Sequence, residues 1–494
     1  MPTDDPAELP PADPNAAATS PADAGEDHRD NAPRRAVSSE KTCPDTEFAD
    51  VVVVGARCAG SAAAVAFARA GRRVVVLDSA HFPSDTLSTH LLWPAGIAEV
   101  ATLGALERVR ELGAPPLRVA FAAGAGQVVR APFTTVEGID YAMCVRRTGF
   151  DAALVATARA AGATVHESLR VTELIRDGGR VAGVRAVDRA GAAHEVRARL
   201  VVGADGRRST VARLAGALDP YRAKPSGRAC LFAYWRDNRP EWRDIAAQWR
   251  EGALLGTAFP CEGGAVLSLI QPPVRRGPRT VRDTERRYRD MVAAIPDLAA
   301  RLDGCELLGR VRSATDIVSY FRHSSGPGWA LAGDAGHFKD PVTAQGMRDA
   351  MRYGRLLGEY AAPALDDAHL LDRALLRWER KREHECLPMY QWTNRLARGT
   401  EMTPLEEQMY RAGATDPHLA ALALDVMTRA RTPDELLTPA RAARFAVQAL
   451  RHSPPAAVAD TIFREVRDSA ADWHERQQAR WGAALTRWVP AASK

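Results

Sequence analysis

A chain of 494 residues and 53.4 kDa is too long for one ordinary domain and long enough for about three, each able to bury its own core, which excludes a small binding module. Hydrophobic residues at 46% and charged residues at 26% exclude wholesale disorder, and no apolar run approaches the roughly 20 residues that a membrane helix needs, so no integral membrane association is expected. The net charge of +5 and pI of about 8.9 are unevenly spread: residues 1–45 carry ten acids against four bases, and the Arg excess elsewhere forms no run that tracks a nucleic-acid backbone, so no nucleic-acid partner is expected.

The first 45 residues are Pro, Ala and Asp with almost no large apolar side chains, which predicts a disordered tail. They lack the basic-then-apolar order of a signal peptide, and the seven scattered cysteines contain no C-x-x-C pair, so a cytoplasmic protein with reduced thiols is expected. At Asp50 the pattern changes. Val51–Val54 reads as a buried parallel strand, GARCAG as a turn, SAAAVAFARAG as a small-residue helix and 73–77 as a second strand, a βαβ unit. A helical stretch over about 95–111 follows, then strands at 117–122 and 127–131 around the turn GAG, then a helix over 150–161. Residues 168–204 hold short strands with turns at DGG and RAG and close in LVVGADG. Segments 230–235, 253–259 and 265–270 alternate enough for an antiparallel sheet, one face of which substrate or protein can cover. Another buried strand at 329–332 enters LAGDAGHFKDPVTAQGM and a long helix to about Tyr360. The remainder, 365 to about 488, reads as helices broken near Pro404, Pro417, Pro433 and Pro454, with no internal repeat. The spacing of Trp473, Trp481 and Trp488 places three indoles near one face of a helix over 472–488, read as packing on the body or as a homodimer interface rather than a membrane-surface helix, since the charges between them are of both signs.

Three stretches carry chemistry. From Gly55 to Asp78, a strand, a glycine turn, a helix opening on it and a second strand ending in an acid form a dinucleotide fingerprint: helix amides hold a pyrophosphate and the carboxylate takes ribose hydroxyls. Gly55 and Gly60 hold the first and third glycine positions, but Arg57 stands at the middle one and must turn away from the phosphates or pair with them. An ordinary βαβ crossover remains the plainer alternative, and the stretch does not separate FAD from NAD. In LVVGADGRRST a strand ends at Asp205-Gly206, with Arg208 and Ser209 opening a helix, a pattern that also fits a plain turn and N-cap. In WALAGDAGHFKDPVTAQGM a strand ends at Gly333-Asp334, followed by Pro341 and Gly346 before a helix. That carboxylate stands at the strand edge where open sheets bind ligands, and amides after Pro341 face an electron-rich ligand edge.

These stretches, in this order and over about residues 49–360, resemble the FAD-dependent aromatic hydroxylases, the class A flavoprotein monooxygenases related to para-hydroxybenzoate hydroxylase, and lie close to the geranylgeranyl reductase-like FAD oxidoreductases. The resemblance implies an α/β fold: a Rossmann-like FAD-binding domain (46–115, 140–215 and 325–365), an antiparallel β-sheet substrate domain (116–139 and 216–324) and a helical C-terminal region (366–494). It places FAD on Gly55, Gly60, Asp78, Asp205, Gly206, Gly333, Asp334, Pro341 and Gly346, and on Arg147 of RRTGFD, which would open a helix crossing the cofactor. Arg57, and Ser79 where many relatives carry a basic residue, depart from the pattern. The implied reaction uses NAD(P)H and O2 to hydroxylate a small aromatic or polyketide-like molecule through a flavin C4a-hydroperoxide, with the cofactor rather than a protein acid–base pair supplying the oxidising atom.

PSDTLSTHLLWPAG, residues 83–96, resembles a segment that lies beside the flavin ring in related proteins, which makes Thr86, Ser88 and His90 candidates and His90 the candidate catalytic residue. A lone histidine near apolar residues is more often a hydrogen-bonded packing residue. No metal site is expected. Two other activities on this scaffold remain open: an FAD-dependent alkene reductase, and a flavin-less binding protein of the kind seen in prenyl-binding GDP-dissociation inhibitors. A flavin-dependent halogenase is disfavoured, because none of the ten tryptophans lies two residues from another, as that family's W-x-W pair requires.

Overall fold

The computed structural model describes residues 46–276 and 283–481; the predicted tail and Trp488 lie outside the described residues. Val51–Val54, with every side chain buried, is an inner strand of a six-stranded sheet. The order across that sheet is Ser325–Gly326, Trp329–Leu331, Leu200–Gly203, Val51–Val54, Val74–Asp78 and Thr164–Glu167. All pairings but the first are parallel, so side chains of the central strands meet protein on both faces, as the unbroken valine run requires. The strands that end in the Gly55 turn, in Gly203-Ala204-Asp205 and in Ala332-Gly333-Asp334 are thereby immediate neighbours running the same way. Three motifs far apart in sequence emerge at one edge.

Two helices pack across each other on this sheet. A Cβ at Gly354 would lie 2.4 Å from the Ala59 carbonyl oxygen, and one at Gly358 would lie 2.5 Å from the Ala66 Cβ, so Gly346–Ala361 approaches Cys58–Arg69 to backbone contact. The small-residue sequence of the first helix is what admits that approach.

The second large sheet has seven strands in the order Glu306–Ala314, Cys230–Arg236, Ala265–Gln271, Leu254–Cys261, Ile245–Glu251, Val119–Gly124 and Gln127–Pro132. It is antiparallel except where Ile245–Glu251 meets Val119–Gly124. The expected alternation is absent from its centre: Leu254–Cys261 and Ala265–Gln271 are buried at every position. Helices Thr284–Ala293 and Pro296–Leu302 cover one face through Tyr288, Met291, Leu298 and Leu302, while Leu91, Phe133, Ile317 and Leu424 close the other. A smaller four-stranded sheet, Thr46–Phe48, Ala193–Arg197, Arg180–Val187 and Arg170–Asp177, stands beside the parallel one.

The predicted helix over 95–111 is two helices, Pro94–Thr102 and Leu106–Arg110, divided at Gly104 with φ +74°. C-terminal helices occupy Ala368–Leu396, Pro404–Thr415, Pro417–Thr428, Pro433–Leu436, Pro439–Ala449 and Pro455–Trp481. The last five each open on a proline, whose missing N–H costs nothing at a helix start. Pro388, by contrast, sits inside Ala368–Leu396 without ending it. Trp473 is 63% exposed, which corrects the expectation that this indole packs on the body of the molecule. Among the described residues, no helix is long and apolar enough to cross a membrane.

Candidate functional site

A cavity of about 480 Å³ opens at the shared strand edge. Gly55, Asp78, Arg147, Asp205, Gly206, Asp334, Pro341 and Gly346 all line it. Gly60, Gly333 and His90 do not, and each has a different reason.

Gly55 has φ +100°, and its N–H donates to the Leu77 carbonyl at 2.8 Å. A Cβ on Gly60 would stand 1.7 Å from the Gly55 carbonyl oxygen, so Gly60 sets the helix down on the turn instead of facing the cavity. Asp78 closes the same turn: one carboxylate oxygen accepts from the Ala56 N–H at 2.7 Å and the other from the Ala80 N–H at 2.8 Å. Each oxygen keeps a second lone pair for a ligand hydroxyl. Helix Cys58–Arg69 has no side-chain cap and no acid in its first turn, which leaves its first amides and positive dipole end unmatched at the cavity wall.

Arg57 occupies the middle glycine position and lines the cavity. Its guanidinium pairs with Asp151 and donates to the Ser84 hydroxyl at 2.9 Å and carbonyl at 3.2 Å. The Asp151 side chain is fully buried and also receives Arg147, through Nε at 3.0 Å and a terminal nitrogen at 2.8 Å. Two guanidiniums thus share one carboxylate, and one positive charge is left over beside the open helix end. Asp151 went unnoticed in the sequence, although its i,i+4 spacing from Arg147 in RRTGFD is the signal that finds it.

Asp205 accepts from the Ser209 hydroxyl at 2.5 Å and from the Thr210 N–H at 2.6 Å, so it shapes its turn and caps the short helix Thr210–Leu214. Burial raises its carboxyl pKa against those bonds. Asp334 differs. The Tyr320 hydroxyl donates to its main-chain carbonyl at 2.7 Å, but its carboxylate has no hydrogen bond among the described residues and faces the cavity. Burial raises its pKa, opposed by the charges of Arg207, Arg147, Lys339 and Arg322. Gly333, with φ +58°, lines a small recess behind Asp334 and packs on Ala59.

The helix expected after Pro341 and Gly346 begins at Gly346 itself, behind a tight turn. Asp340 caps the Val342 N–H at 2.8 Å and makes Pro341–Thr343 a single 3-10 turn, Ala344 then adopts φ +51°, and the helix begins at Gly346. The free amides facing the cavity therefore belong to Gly346 and Met347, at a second helix end without a side-chain cap.

His90, the candidate catalytic residue, lies behind the cavity wall. Pairing of Leu91–Leu92 with Met143–Cys144 draws it into the interior, where it is fully buried, 3.2 Å from the Tyr234 hydroxyl and edge-on to Phe232. Burial, reinforced by Arg147, Arg312 and Arg146, lowers its pKa to about 3, so the ring is neutral. It is a hydrogen-bonded packing residue behind the wall, while Thr86 and Ser88 do line the cavity. Deeper still, His337, Asp349 and Cys386 bring ligand atoms within 4.8 Å of one another, but Lys339 and Arg348 already pair with Asp349.

A glycine cradle that a Cβ would fill, two open helix ends and a half-buried carboxylate without a hydrogen-bond partner among the described residues suit a long ligand with an anionic centre and hydroxyls on both sides, which is the chemistry of FAD. Fold and site together define an FAD-dependent oxidoreductase with the class A flavoprotein monooxygenase and halogenase fold. The chain belongs to the family described as FAD binding domain, whose profile matches residues 48–376. It is 30% identical over 335 residues to the menaquinone reductase of Mycolicibacterium smegmatis, covering 63% of this chain and 76% of that protein. It is 30% identical over 358 residues to digeranylgeranylglycerophospholipid reductase 2 of Methanopyrus kandleri, covering 67% and 82%. Among solved structures, the probable FAD-dependent monooxygenase pqsL of Pseudomonas aeruginosa superposes with a TM-score of 0.60 at 21% identity, over 76% of this chain and 99% of the other.

Proposed function

We propose that this protein is a monooxygenase that uses NAD(P)H and O2 to hydroxylate a small aromatic or polyketide-like substrate. The observation that carries the reading is the apolar wall of the cavity, formed by Cys230, Ala314, Ile317, Phe338 and Ala344, where the one titratable group is a thiol that burial keeps protonated. Such a wall excludes water and offers no acid–base pair, which suits oxygen transfer to an electron-rich carbon better than chemistry that needs a protein proton donor. Bound FAD supplies the redox chemistry, taking hydride from NAD(P)H and activating O2. The balance is substrate C–H, O2, NAD(P)H and a proton giving substrate C–OH, water and NAD(P)+.

In this reading Gly55, Asp78, Arg147, Asp205 and Gly206 hold the adenosine and pyrophosphate half, Asp334, Pro341 and Gly346 hold the flavin half, and Gly60 and Gly333 shape the turns behind them. Residues 46–115, 140–215 and 325–365 act as the cofactor domain, 116–139 and 216–324 as the substrate domain, and 366–494 as the helical region. Asp334 orients a ribityl hydroxyl, and the Gly346 and Met347 amides donate toward the ring's electron-rich edge.

A second reading, reduction of an alkene, is favoured by the names of two of the relatives, a menaquinone reductase and a digeranylgeranylglycerophospholipid reductase. The two separate in one experiment. Purified protein with FAD and NADPH is supplied with phenols and polyketide-like aromatics, and O2 uptake with oxygenated product is the expected result. Saturated product formed without O2 moves the assignment to the reductase, and neither O2 uptake nor product across the panel overturns the monooxygenase.

A further inference from the structure

The helix Pro455–Trp481 buries Val458 and Thr461 against the body near its start and from Glu465 onward meets the protein with charged residues. Arg395 holds Glu465 at 2.8 Å and Asp472 at 2.5 Å, Arg398 holds Asp468, Arg222 reaches Glu475 at 3.1 Å, and Arg476 pairs with Asp434. Its apolar face is turned outward, the reverse of an ordinary surface helix. Ala456, Ala459, Phe463, Val466, Ala470 and Trp473 are all exposed, the three large ones at 69%, 64% and 63%. Their spacings of 3, 4, 3, 4 and 3 are those of a coiled-coil seam.

We infer that this face docks on the same helix of a second copy of the chain, antiparallel. The seam is its own complement when reversed: Ala456 falls opposite the partner's Trp473, Ala459 opposite the partner's Ala470, and Phe463 opposite the partner's Val466. Small side chains thus oppose the indoles at both ends, and the phenyl ring meets valine in the middle. The flanking charges agree. In the same register Asp460 faces the partner's Arg467, and the two-fold repeats the pairing. Among the described residues both groups make only local pairs on their own helix, with Arg464 at 2.9 Å and Asp468 at 3.1 Å, and are 64% and 63% exposed. Counting roughly 150 Å² for each exposed aromatic and less for the others, the face offers on the order of 500 Å² of apolar surface. That equals the apolar share, about 65%, of the roughly 800 Å² per partner in a standard stable interface.

Sedimentation of the full chain tests this. The parent is expected to dimerise at micromolar concentration, and Phe463→Glu to raise the dimer dissociation constant about tenfold or more, with far-UV spectrum and flavin content unchanged. Asp460→Arg alone weakens the dimer, and Asp460→Arg combined with Arg467→Asp restores it. Ala459→Cys with Ala470→Cys gives an intermolecular disulfide that neither single variant forms. A parent that stays monomeric overturns the inference. So does a monomer that binds phosphatidylglycerol vesicles and loses them on Phe463→Glu, which assigns the face to a membrane. Cross-linking by Ala459→Cys alone, or failure of the double charge swap to restore the dimer, overturns the antiparallel register.

Discussion

Asp334 gives the sharpest test of the site because its carboxylate serves the ligand and does little for the fold. The residue is half-buried at the cavity, its carboxylate makes no hydrogen bond among the described residues, and its pKa is raised by desolvation. Replacing it with alanine removes a hydrogen bond from a charged acceptor to a cofactor hydroxyl, a contact with a net value of about 1.5–3 kcal/mol. At 1.4 kcal/mol per decade, the FAD dissociation constant rises roughly 10- to 150-fold. The apoprotein responds in the opposite sense. A carboxyl whose folded pKa lies above its unfolded one destabilises the fold once pH exceeds the unfolded value, so the alanine variant without flavin holds or gains thermal stability at neutral pH. Fluorescence titration of apoprotein with FAD, paired with thermal melts of the same samples, reads both. A variant that binds FAD like the parent refutes the cofactor role, and an apoprotein melting several degrees lower shows the carboxylate to be structural.

Gly60→Ala, whose Cβ would stand 1.7 Å from backbone, should cost at least about 3 kcal/mol in urea unfolding, whereas Gly346→Ala, which meets nothing within 4 Å, should keep parental stability and weaken FAD binding only. Asp151→Ala leaves Arg57 and Arg147 without their shared carboxylate and should cost about 3 kcal/mol, the low end for a broken buried pair because Arg57 is one-quarter exposed. His90, lowered from 6.5 to about 3, binds its proton more readily unfolded than folded, so stability falls as pH drops below 6.5; His90→Gln should flatten that acid limb when urea midpoints are measured from pH 7 to pH 4.

The residues that were legible in the sequence announce themselves locally. Asp205 and Asp334 each follow a strand beside a glycine and Asp78 is the last residue of its strand, and parallel strands that share an edge must bring such ends together. What escaped depends on partners from distant elements. Asp151 acquires its role from Arg57, 94 positions away. The tight turn before the last site helix also escaped: the Asp340 side chain captures an amide and turns Pro341–Thr343 into a 3-10 turn, a competition that composition does not display. Periodicity marked the strands of the seven-stranded sheet but not the two helices that bury its second face. In Pro455–Trp481 it identifies which face is apolar, yet orientation was decided by Arg395, Arg398 and Arg222 elsewhere. The hydrophobic face lost to a set of ion pairs.

The contact between Cys58–Arg69 and Gly346–Ala361 ties the two ends of the cavity to one dimension. Each helix aims its open N-terminus at the cavity, and their separation is limited by Ala59 and Ala66 against Gly354 and Gly358, with Gly333 against the Ala59 methyl group. Alanine and glycine bury little apolar area, so this crossing forgoes the roughly 2–3 kcal/mol that each leucine-sized side chain would contribute. In exchange the two helices approach to backbone contact, which a larger side chain prevents. A methyl group added at Gly354 would meet the Ala59 carbonyl and force apart the Gly55 turn and the Gly333-Asp334 turn together. The two halves of the cofactor site are therefore positioned by the same packing surface, and a substitution there, remote from any ligand atom, lengthens the span a single cofactor must bridge.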